Sequence, residues 1–252
     1  MDKIFGYQFS TLSFQHTVDK IVELGALRVS AYICVSNVHM LVTAIKSDKF
    51  SHVLHNADLA ILDGMPLCWS YKIFHRYQPD RIAGRHLMHS LIKESVNRNL
   101  SVYIYGSEEY KLTKAAIYLL NNYPGINIAG MYAPPFRLLT ESEDNEVVNK
   151  INASGANLVF VALGCPKQEI WMSKMKGKIN ATMLGIGIGL ETLTHQQLPT
   201  PKWIENIGCE WLFRLIKEPK KLFKRYLITN SLFIKMLLAE LFTDKFNKVE
   251  NY

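Results

Sequence analysis

Leu158-Val159-Phe160-Val161-Ala162-Leu163-Gly164-Cys165-Pro166-Lys167-Gln168-Glu169 reads as a strand, a turn and the start of a helix. Its apolar residues run without alternation, as in a strand covered on both faces. They stop at a glycine and a proline, and polar residues follow where a helix would begin. Such a strand–turn–helix step belongs to a parallel sheet whose crossovers are helices. Upstream, Thr140 and Glu143 form a T-x-x-E capping box, and Glu146, Val147, Val148 and Ile151 continue at helical spacing.

Outward from this unit the pattern repeats. Apolar, β-rich runs occur at 29–35, 59–62, 102–105, 126–129 and 182–186, besides 158–163. Helical patterns lie between them. Ser107 is a candidate cap for a helix through 114–120, which Tyr123-Pro124-Gly125 ends. The expected class is α/β, a Rossmann-like, mostly parallel sheet flanked by helices. From about Pro201 only helical periodicity remains: Trp203, Ile204, Ile207, Trp211, Leu212 and Leu215, then a break at Pro219 and a second run from Leu222 to Leu237. The chain therefore divides into an α/β body, 1–200, carrying a cleft, and a basic, amphipathic helical appendage, 201–252.

Composition narrows the classes. Of 252 residues 48% are apolar and 20% charged, proportions that suit a packed core and exclude disorder. The four cysteines, at 34, 68, 165 and 209, form no C-x-x-C pair, which argues against a zinc site or disulfide framework and for a reducing compartment. Residues 1–6 carry neither a basic n-region nor a long apolar run, so no signal peptide is expected. No stretch approaches the roughly 20 apolar residues of a membrane span. The net charge is +7, and residues 202–235 hold eight basic residues against three acidic ones. A cluster of that kind suits a phosphate-bearing ligand, an anionic membrane or nucleic acid.

Open α/β sheets bind ligands outside the carboxyl ends of their strands. Asn37, Asp63-Gly64, Gly106-Ser107, Gly164–Glu169 and Gly185-Ile186-Gly187-Ile188-Gly189 all follow strands, and together they outline one cleft. Asp63 ends a buried run, where desolvation would raise its pKa and make it a better base; the competing reading is an N-cap for a helix starting near Met65. In 164–169, Gly164 lets a ligand approach the backbone, Lys167 could meet a phosphate, and Gln168 could bond a sugar or base. A plain turn, with Pro166 opening a helix and Glu169 favouring its dipole, explains the same residues. The glycines at 185, 187 and 189 lack the G-x-G-x-x-G spacing and the ribose-binding acid of a dinucleotide site. Glu141-Ser142-Glu143-Asp144 reads as the acidic first turn of a capped helix. There is no D-x-D, and the eight histidines show no ligand spacing, so no metal is expected.

In the tail, residues 211–226 interleave cations with aromatic and aliphatic side chains. A helix of this kind suits a membrane interface, while Arg214 and Arg225 could instead reach a diphosphate in the cleft, and a solvated basic face is the plain alternative.

Several of these segments carry a resemblance. They are Asn37; Ala57-Asp58-Leu59-Ala60-Ile61-Leu62-Asp63-Gly64-Met65; Arg81-Ile82-Ala83-Gly84; Tyr105-Gly106-Ser107; Tyr123-Pro124-Gly125; Ala162–Glu169; Gly185-Ile186-Gly187; Pro201-Lys202-Trp203; and Gly208-Cys209-Glu210-Trp211-Leu212-Phe213-Arg214-Leu215 with Glu218-Pro219. In this order, from about residue 30 to 227, the chain resembles the WecG/TagA/CpsF family of glycosyltransferases (glycosyltransferase family 26). The resemblance implies an inverting, metal-independent transfer from a UDP-sugar, often UDP-N-acetylmannosamine or its uronic acid. The acceptor would be a polyprenyl-diphosphate-linked saccharide in teichoic acid, enterobacterial common antigen or exopolysaccharide assembly. Asp63 matches the general-base position, and Asn37, Arg81 and Gln168 match other pocket positions. Arg214 and the later cations, Lys221 and Arg225, match a tail that closes over the departing UDP. With Gly106, Gly164, Lys167, Glu169, Gly185 and Gly187 they make up the expected substrate-binding set.

The partners expected are the UDP-sugar, the lipid-linked acceptor and an anionic membrane surface met by 203–242. No cofactor and no nucleic acid are expected, and self-association is allowed. The place is cytoplasmic, peripheral on the inner face of the cell membrane. Val35-Ser36-Asn37 stands where the family commonly has T-x-N, and Tyr132-Ala133-Pro134-Pro135-Phe136 where many members read G-Y-F; both bear on donor choice. A non-catalytic nucleotide-binding scaffold of a polysaccharide assembly complex, or another nucleotide-dependent α/β enzyme, are the alternatives.

Overall fold

A computed structural model describes residues 2–194 and 200–249, except the side chains of Leu193, Asn206, Lys221 and 243–249. The chain opens with a two-stranded hairpin, β1 (Lys3–Ile4) and β2 (Tyr7–Gln8), turned by Phe5 and Gly6, both at positive φ. Then follow α1 (Phe14–Ala26), β3 (Ala31–Ser36), α2 (Val38–Lys46), α3 (Asp48–His55), β4 (Leu59–Leu62), α4 (Met65–His75), α5 (Gly84–Asn97) and β5 (Ser101–Gly106). The second half holds α6 (Glu109–Asn122), β6 (Asn127–Tyr132), α7 (Glu141–Ser154), β7 (Leu158–Ala162), α8 (Lys167–Met175), β8 (Thr182–Gly185) and α9 (Gly189–Leu193). Three helices end it: α10 (Lys202–Asn206), α11 (Glu210–Lys217) and α12 (Pro219–Val249).

The six long strands form one parallel sheet in the order β4-β3-β8-β7-β5-β6. Alternate residues feed two cores. Tyr32, Cys34, Tyr103, Tyr105, Val159 and Val161 point to one face, where α2, α3, α7 and α8 pack. Ile33, Val102, Ile104, Leu158, Phe160 and Leu184 point to the other, under α1, α5, α6 and α9. Because both faces are covered, the strands read in the sequence as unbroken apolar runs. Because every strand runs the same way, all their carboxyl ends open on one side.

All six expected strands are present, with shifted ends. β6 runs past Gly130, where the sequence reading stops, because Tyr103 of the neighbouring strand lies over that glycine. A Cβ there would stand 2.5 Å from the Tyr103 ring, so the residue that looks like a breaker is a packing requirement. Ser107 does not cap α6, contrary to the expectation. It sits at φ 64° and spends its N–H on the Ala162 carbonyl (2.9 Å), so the helix starts two residues later, with Glu108 at the cap position and no side-chain cap bond. The box at Thr140 and Glu143 forms as read, and Arg137 adds a two-pronged contact to Glu143 (2.6 and 2.7 Å).

The last helix is fastened to the body. α12 lies along α2, Leu222 and Phe233 are buried, and Phe5 of the hairpin meets both Phe233 (5.6 Å) and Phe74 of α4 (5.9 Å). Hairpin, α4 and α12 thus share one aromatic contact on the flank of the cleft. Among the described residues no helix is long and apolar enough to cross a membrane.

Gly106 closes β5 at φ 110°, and a Cβ there would fall 2.6 Å from the Ala162 carbonyl oxygen. Gly106→Ala is therefore expected to cost on the order of 1–3 kcal/mol of stability, read by urea unfolding with an unchanged m-value.

Candidate active site

The site is built where β3 and β4 end side by side. Asp63 follows β4 directly, and its N–H donates to the Ser36 carbonyl at the end of β3 (2.9 Å). Asn37, the next residue on β3, caps α2 by accepting from the Met40 N–H (3.2 Å). The segment after α4 returns along β4, fixed by Ile82 N–H donating to the Leu62 carbonyl (2.7 Å), and this return delivers Arg81 to Asp63. The Arg81 Nε donates to the Asp63 main-chain carbonyl (2.6 Å), and its Nη2 lies 3.8 Å from the Asp63 carboxylate. The same Nη2 donates to Glu210, the first residue of α11. A second bridge, Arg85 with the buried Glu205 of α10, lies beside it.

Asp63 is not the cap of α4; Gly64 holds that position without a side-chain bond. Its carboxylate instead accepts from the N–H of Gly84, the first residue of α5 (3.3 Å). Burial pushes its pKa up to about 6, and the Glu210 charge pushes the same way. Arg81, the Gly84 N–H and Arg214 of α11 oppose them without cancelling the rise. The side chain keeps 27% of its surface open, so it can still be reached. A carboxylate poised near neutral pH in an open cleft is suited to general-base work.

The middle of the cleft is braced by Gln168. Its Oε1 accepts from the Gly164 N–H (3.1 Å) and the Gly187 N–H (3.0 Å), tying together the turns that follow β7 and β8. Its Nε2 donates to Glu169 (2.7 Å) and lies where a Cβ on Gly185 would come to 2.7 Å, so a side chain at 185 would displace the Gln168 amide from its bonds. Glu169 is fully buried; burial raises its pKa, and its Oε2 has no hydrogen-bond partner among the described residues. Gln168 and Glu169 thus shape the cleft floor from within. Gly164 turns at φ 78°, the Cys165–Pro166 peptide is cis, and Lys167 stands exposed at the start of α8. Gly106 ends β5 beside β7.

From the tail, Arg214 faces Asp63 and Arg225 faces α2 and the turn after β7. The Arg225 charge adds to burial in lowering the His39 pKa, and its Nε is buried without a hydrogen-bond partner among the described residues. Its guanidinium also lies over the Tyr226 ring (5.2 Å). The side chain of Lys221 lies outside the described residues. Among the described residues no group of three or more His, Cys, Asp or Glu comes together as a metal would need. Sequence reasoning gave no role to Glu205 or Glu210. The signal was there in two acids at the inner ends of a basic tail, but their partners lie 120 and 129 residues away in the chain.

An open parallel α/β sheet with its reactive groups gathered at the strand ends defines a class of ligand-binding enzyme folds. Comparison resolves the class further: the model of the Glycosyl transferase WecG/TagA/CpsF family matches residues 2–247. The chain belongs to that family and is a glycosyltransferase. It is similar to the N-acetylglucosaminyldiphosphoundecaprenol N-acetyl-beta-D-mannosaminyltransferase of Bacillus spizizenii (strain ATCC 23059 / NRRL B-14472 / W23). The two are 28% identical over 192 residues, 76% of this chain and 73% of the relative.

The raised pKa of Asp63 has a stability consequence. An acid with a higher pKa folded than unfolded carries no penalty below its unfolded value of about 3.8 and the full penalty above about 6. Asp63→Asn is therefore expected to stabilise the fold at pH 8 by on the order of 3 kcal/mol, the gain fading towards pH 4, in denaturant titrations at both pH values.

Proposed function

We propose that the chain transfers N-acetylmannosamine, its uronic acid or a related hexose from a UDP-sugar to a polyprenyl-diphosphate-linked saccharide. The transfer serves bacterial cell-surface polysaccharide or teichoic acid synthesis, inverts the anomeric centre and needs no metal. The observation that carries the reading is Asp63, reachable in the cleft, with its pKa raised to about 6 and the Arg81 guanidinium 3.8 Å from its carboxylate. The relative's name supports the donor sugar and the lipid-linked acceptor.

In this scheme the Asp63 carboxylate takes the proton of the acceptor hydroxyl as that oxygen attacks the anomeric carbon. The bond from that carbon to the UDP oxygen breaks on the opposite face, and its electron pair leaves with the diphosphate. The proton ends on Asp63, and the configuration inverts. Charge developing on the diphosphate is met by Arg214, Arg225 and Lys167, and by N–H groups of the glycine turns, which supplies the stabilisation a metal would otherwise give. Asn37 and Arg81 hold the walls of the pocket around the acceptor or donor.

The tail has a second use. Trp203, Ile216, Phe223 and Leu227 are more than half exposed, beside Lys217, Lys220 and Lys224. Apolar side chains interleaved with cations fit an anionic lipid surface, where a lipid-linked acceptor lives. On this reading 1–200 is the catalytic body and 201–252 closes it at the inner face of the membrane.

The test is UDP release with a panel of UDP-sugars and a synthetic polyprenyl-diphosphate-GlcNAc acceptor, with and without EDTA. Acceptor-dependent release that survives EDTA is expected, and Asp63→Asn is expected to lower kcat about 10²–10⁴-fold while UDP binding persists. Strict dependence on Mg²⁺ or Mn²⁺, or full turnover by Asp63→Asn, contradicts the scheme.

A further inference from the structure

We infer that Glu210 is a positioning residue that binds Arg81, withholds a direct hydrogen bond of its guanidinium from the Asp63 carboxylate, and so makes the basicity of Asp63 depend on the docking of α11. The inference rests on the transfer reading above and adds to it a residue with no role there. Arg81 has one guanidinium and two carboxylates to serve. Its Nη2 is in direct contact with Glu210 but 3.8 Å from Asp63, so the hydrogen bond goes to the tail and the base keeps a counter-ion at the edge of ion-pair range with no direct side-chain hydrogen bond to it. The Nε bond to the Asp63 carbonyl fixes the pivot of this arrangement, so the choice between the two acids is made at Nη2 alone.

The placement of Glu210 is itself built. Gly208 turns at φ 73°, and a Cβ there would stand 2.9 Å from both Cβ and Cγ of Met65, so α11 can lie against the start of α4 only because residue 208 has no side chain. That approach brings the first residue of α11 over Arg81. The charged and titratable groups facing Asp63 are then Arg81 from the return segment, Glu210 and Arg214 from α11, and the Cys68 thiol of α4. Burial pushes that thiol up to about 11, so it stays neutral. The Gly84 N–H of α5 completes the set. Arg81 in turn faces Asp63, Glu210 and Glu205. Removing the Glu210 charge frees the Arg81 Nη2, already 3.8 Å from the Asp63 carboxylate, to pair with it, which favours the ionised form of Asp63 and weakens it as a base.

The experiment follows the Asp63 carboxyl by ¹³C NMR in the full chain labelled at aspartate, its resonance assigned with Asp63→Asn, and runs kcat alongside. In Glu210→Gln the Asp63 midpoint is expected to fall by about 1 unit, in the direction set by an opposite charge no longer shared, with kcat at pH 7.5 reduced several-fold. Glu210→Ala is expected to move the midpoint the same way. Glu210→Asp, which keeps the charge, should stay nearer the native value, a rescue that a purely structural role would not produce. A midpoint unmoved in whichever of Glu210→Gln and Glu210→Ala stays folded, or one that moves as far in Glu210→Asp as in Glu210→Gln, overturns the inference, even where kcat falls. The transfer reading fails separately: a midpoint that moves as expected, in a chain that releases UDP from no donor, rejects the transfer and leaves the electrostatic link standing.

Discussion

The Arg81 guanidinium is shared between a carboxylate at the end of β4 and a carboxylate at the start of α11, and the site depends on how it is shared. Asp63 is costly to ionise where it stands, because the strand it ends is buried and little water reaches it. A full ion pair with Arg81 would offset that cost and leave a weak base. Glu210 prevents the full pairing. The result is an acid whose midpoint, about 6, lies below physiological pH but well above that of an ordinary carboxylate, so it is ionised and a stronger base, at the price of some stability in the folded state. Helix α11 is therefore part of the electrostatics of the base, as well as a wall of the cleft.

The remainder of the cleft is arranged around a second economy, the reuse of Gln168. One amide oxygen holds two turns on neighbouring strands, so the backbone N–H groups around Gly164 and Gly187 are fixed relative to each other before any ligand arrives. Gly185 leaves room for the same side chain. Preorganised turns of this kind cost nothing to reorient during reaction, which is what would make them useful to the leaving diphosphate of the proposed transfer. The cations of the tail stand opposite them, on helices whose attachment runs through Arg81–Glu210, Arg85–Glu205 and the aromatic contact of Phe5, Phe74 and Phe233.

Much of this was readable from residues alone, for a physical reason. A doubly covered parallel strand leaves an unbroken apolar run such as 158–162, and a polar residue ending such a run, as Asp63 does, is exposed to the cleft by the geometry of the fold. What stayed hidden has causes just as definite. The strand at Gly130 and the missing cap at Ser107 depend on a neighbour's ring and a neighbour's carbonyl, which local pattern does not carry. The pattern of 164–169 does not show that one Gln168 side chain joins the turns after β7 and β8, a contact that only the packing of those two strands side by side makes. The Arg81–Glu210 bond joins residues 129 apart, and no spacing rule reaches that far.

The central claim is that a carboxylate of raised pKa at residue 63 takes the acceptor's proton, and the dependence of kcat on pH tests it most directly. The native chain, assayed at saturating donor and acceptor from pH 4.5 to 8.5, should gain activity through a single ionisation near pH 6 and level off above it. A rate already at its plateau at pH 5, where Asp63 would still be largely protonated, would contradict the account.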